Sequence, residues 1–205
     1  MKGEVVLASG LWMPAAATAL IAARLARAGY ATRSFAYSGR QPFEANLERL
    51  AAFVQENYAG RAAHFVGHSL GGVLLYDMLE RHREVAAGRV VLLGAPVRGC
   101  HAGRRLGSWS IGRWMLGGCA PRWEVRDAVW RRPEALGVIA ATVPLGLGRA
   151  LGALPGENDG VVCVAETELE GMADRALVRT AHSTLAFSAR VARLIEQFLS
   201  AGRFS

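Results

Sequence analysis

Residues 63–83 constrain the fold more tightly than any other stretch of this chain. Ala63-His64-Phe65-Val66 is a short, mostly apolar run, as a buried strand would be. Gly67-His68-Ser69-Leu70-Gly71-Gly72 follows it directly, a match to G-x-S-x-G. From Leu70 to Arg83 the residues Leu70, Val73, Leu74, Asp77 and Met78 recur at helical spacing. A strand that passes straight into a helix turns too sharply for side chains beside the bend. Glycines on either side of one serine relieve that crowding and leave the serine at the apex.

The rest of the chain repeats the alternation. Strands are expected at Val5–Ala8, Ala31–Tyr37, Arg89–Leu93, Leu136–Thr142 and Arg175–Thr180. Helices are expected at Ala15–Ala28, introduced by Pro14 and stopped by Gly29, at Pro42–Tyr58 and at Thr184–Leu199. Strands alternating with helices favour parallel pairing. The expected fold class is therefore α/β, a mostly parallel sheet of about six strands with helices on both faces. In such a sheet the crevice lies at the carboxyl ends of the strands. Ser9-Gly10, Ser69, the segment after Pro96 and the loop around Asp159 all follow strand ends, so they should gather on one edge.

A length of 205 residues, 52% hydrophobic and 20% charged, suits one globular domain over residues 1–205. No apolar stretch reaches the length of a membrane span without interruption. Met1-Lys2-Gly3-Glu4 runs straight into the first strand without the features of a signal peptide, so a cytoplasmic location is expected. Cys100, Cys119 and Cys163 are too few for a disulfide framework and read as free thiols, although Cys100 and Cys119 share one irregular segment and could pair under oxidising conditions. No Cys/His spacing resembles a zinc site.

Charge is unevenly placed. The net charge is +7, and the segment from Arg98 to Arg132 holds eight Arg against only Glu124 and Asp127. It also carries Trp109, Trp114, Trp123 and Trp130, four of the five tryptophans. Residues 97–132 are thus an Arg/Trp-rich, lid-like insertion expected to cover the pocket. Trp with Arg suits a membrane surface or an anionic substrate. The plainer reading is a solvated basic lid whose tryptophans pack on the body. No nucleic-acid fold signature accompanies the charge, and no nucleic-acid partner is expected.

A serine hydroxyl is a poor nucleophile at neutral pH and needs a base, which an acid must orient. Behind a G-x-S-x-G turn the acid and then the base follow in chain order. His82 closes the helix of the elbow itself and points away from the apex. His101 opens the Arg/Trp segment and stays open as an alternative. His182, in Ala181-His182-Ser183 after the last expected strand, is the preferred base. Asp159, in the polar turn Asn158-Asp159-Gly160, is the preferred acid, with Glu157 its competitor. Asp174 falls at the wrong end of a strand, and Asp127 lies in the insertion. Two N–H donors should face a developing oxyanion: that of Leu70, and that of Leu11 with Trp12 as runner-up. Gly10, Trp12, His68, Trp109 and Trp114 are the expected substrate-binding residues.

On these residues the chain resembles the α/β-hydrolase superfamily, close to small lipases and esterases that lack the first two strands of the fold. Val5–Trp12 corresponds to the oxyanion strand and loop, Gly67–Gly72 to the nucleophile elbow, Asn158–Gly160 to the acid loop and Ala181–Ser183 to the base loop. One departure is Ser9-Gly10, where family members often carry His-Gly. The resemblance implies a serine ester hydrolase acting through an acyl-enzyme on Ser69, with no metal or organic cofactor, on a small-molecule or lipid ester. Acyl transfer or thioester hydrolysis on acyl-coenzyme A-like substrates would use the same residues. A non-catalytic binding protein on the same fold is the remaining alternative.

Overall fold

The structure, a computed structural model, describes residues 2–13, 15–146, 148 and 152–205, with 15–17, 120 and 121 described in backbone only. The expected role of Pro14 in starting the first helix lies outside the described residues. Strands β1 (Gly3–Ala8), β2 (Tyr30–Phe35), β3 (Ala63–His68), β4 (Ala87–Leu93), β5 (Leu136–Ala141) and β6 (Asp174–Val178) form one sheet in the order β2-β1-β3-β4-β5-β6. Every pairing is parallel.

Successive strand side chains point to opposite faces, and the core divides accordingly. Val5, Leu7, Val66, Val91, Leu93 and Ile139 face one side with Ile21 and Leu25 of α1 (Ala15–Arg27) and Val191, Ile195 and Phe198 of α7 (Ala189–Ala201). Val6, Phe65, Val90, Leu92 and Val138 face the other, with Leu47, Leu50 and Val54 of α2 (Phe43–Tyr58) and Val73, Leu74 and Met78 of α3 (Leu70–Arg81). The middle stretches of the central strands, Phe65–Val66, Val90–Leu93 and Val138–Ala141, are buried on both faces, which is why they are continuously apolar.

Several boundaries differ from expectation. β3 runs on to His68, so the serine stands one residue past the ladder, and the Ser69 N–H donates to the Leu93 carbonyl at 2.9 Å. The expected helix Thr184–Leu199 is broken. His182–Phe187 is a 3-10 turn, and α7 begins only after Ser188, whose Oγ accepts the Val191 N–H. The apolar spacing of Leu185 hides this cap, because Leu185 is buried from the 3-10 turn instead. In the insertion, α4 (His101–Gly107), α5 (Ser110–Leu116) and a 3-10 turn (Gly117–Trp123) replace the irregular segment expected there. α6 (Val164–Thr167) is one turn between β5 and β6.

Three of the eight Arg in the insertion turn inward and fasten it. Asp77 on α3 is buried and takes Arg122 on Oδ2 (Nε at 2.8 Å) and Arg126 on Oδ1 at 2.7 Å. Arg132 is buried against Glu134 and donates to the carbonyls of Leu79, His82 and Val85. Trp123 and Trp130 are likewise core residues. These residues bind the insertion to the body.

Candidate active site

The elbow forces Ser69 to φ 52° and ψ −126°, a region that side chains avoid. The glycines around it are needed for approach. A methyl on Gly67 would overlap Gly72 Cα, one on Gly71 would strike the Ser9 carbonyl, and one on Gly72 would lie 2.6 Å from Ala95 Cβ. From β1, Gly10 passes so close that a Cβ there would sit 2.9 Å from His68 Nδ1 and 3.0 Å from Ser69 Cβ. The loop 9–12 therefore lies against the serine because residue 10 has no side chain. Trp12 is the other described non-glycine residue with positive φ, at 59°.

Ser69 Oγ lies 2.9 Å from His182 Nε2, and His182 Nδ1 lies 2.7 Å from Asp159 Oδ2. Asp159 Oδ1 accepts the N–H groups of Val161 and Val162 at 3.0 and 2.7 Å, so the carboxylate is fixed on both oxygens. That assigns Nδ1–H to the Asp159 side and leaves the Nε2 lone pair for the serine proton. The His182 N–H donates to the Asp159 carbonyl at 3.1 Å, joining the Asp159 and His182 loops through backbone as well. Gly94, at φ 53°, stands where a Cβ would come within 3.3 Å of both Asp159 Oδ2 and His182 Nδ1.

The competing residues are elsewhere. Glu157 and Asp127 are exposed. Asp174 accepts the N–H of Phe204 at the far end of β6. His82 caps α3 beside Glu84 and Glu48, and His101 opens α4. The Leu70 amide, first in α3, and the Leu11 amide in the β1–α1 loop have no acceptor among the described residues.

An apolar cavity of about 240 Å³ opens beside Ser69 and His182, walled by Pro96, Leu106, Leu116, Trp123, Val161 and Val162. Of the expected substrate-binding residues, Trp12 and His68 line it. Gly10 and Trp114 line a neighbouring open groove of about 540 Å³ that also holds Tyr37 and Arg40. Trp109 lines neither and is 59% exposed. His68 does more than line the wall. Its Nε2–H donates to the His182 carbonyl at 3.1 Å, and burial first, then the nearby His182 ring, pushes its pKa down to about 3. It is a neutral ring that supports the His182 loop.

The three cysteines are free and buried. Burial pushes the Cys100 and Cys163 thiols up to about 12 and Cys119 to about 11, so none supplies a thiolate near neutral pH. Cys100 faces the Val161 carbonyl and Cys119 that of Gln41, which leaves them unpaired with each other. No group of three or more His, Cys, Asp or Glu among the described residues is placed to hold a metal ion. No described helix is long and apolar enough to cross a membrane.

Glu166 escapes a reading by motif. One oxygen accepts the His101 N–H at the start of α4 and the other accepts the Cys163 N–H. Its carbonyl accepts the Arg98 N–H. The residue thus fastens the entrance of the insertion to the loop that carries Asp159. Its one local signal is its place as third residue of the turn Val164-Ala165-Glu166-Thr167, where a Glu can cap the helix start.

No protein-family model matches this sequence, and no curated protein matches it. Solved structures do. The lipase BlEst2 of Bacillus licheniformis, in its propeptide form, superposes with a TM-score of 0.72 at 20% identity, over 90% of this chain and 47% of that one. The metagenomic carboxyl esterase MGS0156 gives 0.63 at 19%, over 88% and 64%. The RedJ thioesterase of the prodiginine biosynthetic pathway in Streptomyces coelicolor gives 0.62 at 17%, over 97% and 90%. This chain therefore spans less than two thirds of the length of the first two. The parallel sheet, the strand–serine–helix elbow and these superpositions agree on one architecture: the chain has the α/β-hydrolase fold.

Proposed function

We propose that this protein is a serine-dependent carboxylic-ester hydrolase. The reading rests on one continuous arrangement, Ser69 Oγ to His182 to Asp159, closed by hydrogen bonds of 2.9 and 2.7 Å. His182 Nε2 takes the Ser69 proton as Oγ bonds to the ester carbonyl carbon. The carbonyl electron pair moves to oxygen, where the Leu11 and Leu70 N–H groups receive it. Asp159 holds the imidazolium by its Nδ1–H. The tetrahedral adduct collapses, the C–O bond to the alcohol breaks, and the alcohol leaves with the proton from Nε2. Water repeats the sequence on the acyl-enzyme, releasing the carboxylic acid and restoring Ser69. The apolar cavity suits the acyl chain, since its walls offer that chain almost nothing but carbon.

A fluorophosphonate probe tests the reading. Wild-type protein is expected to form a covalent adduct that Ser69→Ala abolishes, with loss of p-nitrophenyl ester turnover by at least about a thousandfold. Folded protein that takes no label would overturn it.

A further inference from the structure

α5 presents an apolar face that is largely exposed among the described residues. Ile111, Trp114 and Met115 stand at i, i+3 and i+4 and are 74%, 65% and 38% exposed, while Gly112 and Leu116 point inward. Trp109, the N-cap of α5, extends the face. So does Trp12, 55% exposed, from the loop beside Ser69. Large exposed apolar patches mark surfaces that meet something.

The cations around this face differ from those that fasten the insertion. Arg122, Arg126 and Arg132 are each paired with a carboxylate. Arg40 and Arg113 have no carboxylate partner among the described residues. From Arg98 to Trp123 the chain holds no Asp or Glu at all. The outer guanidiniums are held by neutral groups only. Arg113 donates to the Gly107 and Ser108 carbonyls, and Arg40 donates to the Trp114 carbonyl while lying 4.3 Å from the centre of that indole. Their charge is not cancelled locally.

We propose that the α5 face docks this protein on an anionic phospholipid bilayer. Tryptophans with unpaired arginines suit the headgroup boundary, where indole rings embed and guanidiniums meet phosphate. A bilayer fits better than a protein partner because Trp12 and Met115 belong both to this face and to the wall of the Ser69 cavity. A protein seated there would cover the mouth, whereas a bilayer would bring apolar esters to it. That use of the surface rests on the hydrolase reading; the docking itself does not.

The test therefore uses full-length Ser69→Ala protein and sedimentation with two sets of vesicles, pure phosphatidylcholine and phosphatidylcholine with about a quarter phosphatidylglycerol. The anionic vesicles are expected to bind at least about 10-fold more tightly, with the difference shrinking as salt rises. Ile111→Asp is expected to weaken that binding about 10-fold, and Arg113→Gln about 5-fold, with melting curves confirming that both remain folded. Equal affinity for the two vesicle types, no binding to either, or an Ile111→Asp variant that binds like its parent would each overturn the proposal. So would light scattering that shows a dimer which Ile111→Asp dissociates, since the face would then belong to a second copy. Probe labelling of Ser69 in the otherwise unaltered protein reports separately on the chemistry.

Discussion

Ser69 and Trp12 are the described non-glycine residues at positive φ, and they flank the same small volume. Such backbone conformations cost about 1–3 kcal/mol and persist only where surrounding structure enforces them. For Ser69 that structure is the run of close glycine contacts and the bond from its N–H to Leu93. The strain should be recoverable. Ser69→Gly removes the hydroxyl and the Cβ that resists φ 52°, whereas Ser69→Ala removes the hydroxyl alone. The glycine variant is expected to melt above the alanine variant, by about 2–4 °C for each kcal/mol released. Calorimetry on the pair measures this, and equal melting temperatures would show an unstrained elbow.

α4, α5 and the 3-10 turn after them were the elements least visible in the sequence. They are short and interrupted by Gly103, Gly107, Gly112, Gly117 and Gly118, so helical propensity is low and periodicity has no room to accumulate. The strands and longer helices were legible because the sheet buries them on both sides and their apolar spacing is forced. Ser69, His182 and Asp159 were legible for a related reason: each lies just past a strand or in a polar turn, at the end of the sheet where side chains converge. Asp77 was not. Its spacing on α3 marked it only as part of the inner face, and its arginine partner Arg122 lies 45 residues away. Glu166 was hidden in the same way, 65 residues from His101. Asp77 now carries a prediction for the element. Asp77→Ala leaves two partly buried guanidiniums unpaired and should cost about 2–3 kcal/mol in urea unfolding, less than a fully enclosed pair because both arginines keep some contact with water. A loss below about 0.5 kcal/mol, the range of surface substitutions, would remove the clamp from this account.

Across the whole molecule, loops after β1, β3, β4, β5 and β6 meet on one edge, and His68 lies buried beneath them. Its burial makes global stability depend on pH. In the unfolded chain the ring takes up a proton below about 6.5. In the folded protein it does so only near about 3. Between those values the unfolded state binds one more proton. Stability should therefore fall as pH drops through that window, by up to about 1.4 kcal/mol per unit, and gain nothing from this residue above it. His64, half-buried and also shifted down by burial, acts in the same direction. Urea midpoints measured from pH 4 to pH 7 should show the slope. His68→Gln should flatten it, and a variant with an unchanged slope would exclude His68 as its source.

Ser69 and Asp77 ride on one helix, about two turns apart. The cover over the cavity is therefore bolted to the helix that follows Ser69 at one end, through Arg122 and Arg126, and to the Asp159 loop at the other, through Glu166. Residues 102–118 span the distance between the two bolts. They form an exchangeable cassette: a foreign segment grafted there would rewrite the ceiling of the cavity while every group that touches the Ser69 hydroxyl stayed in place.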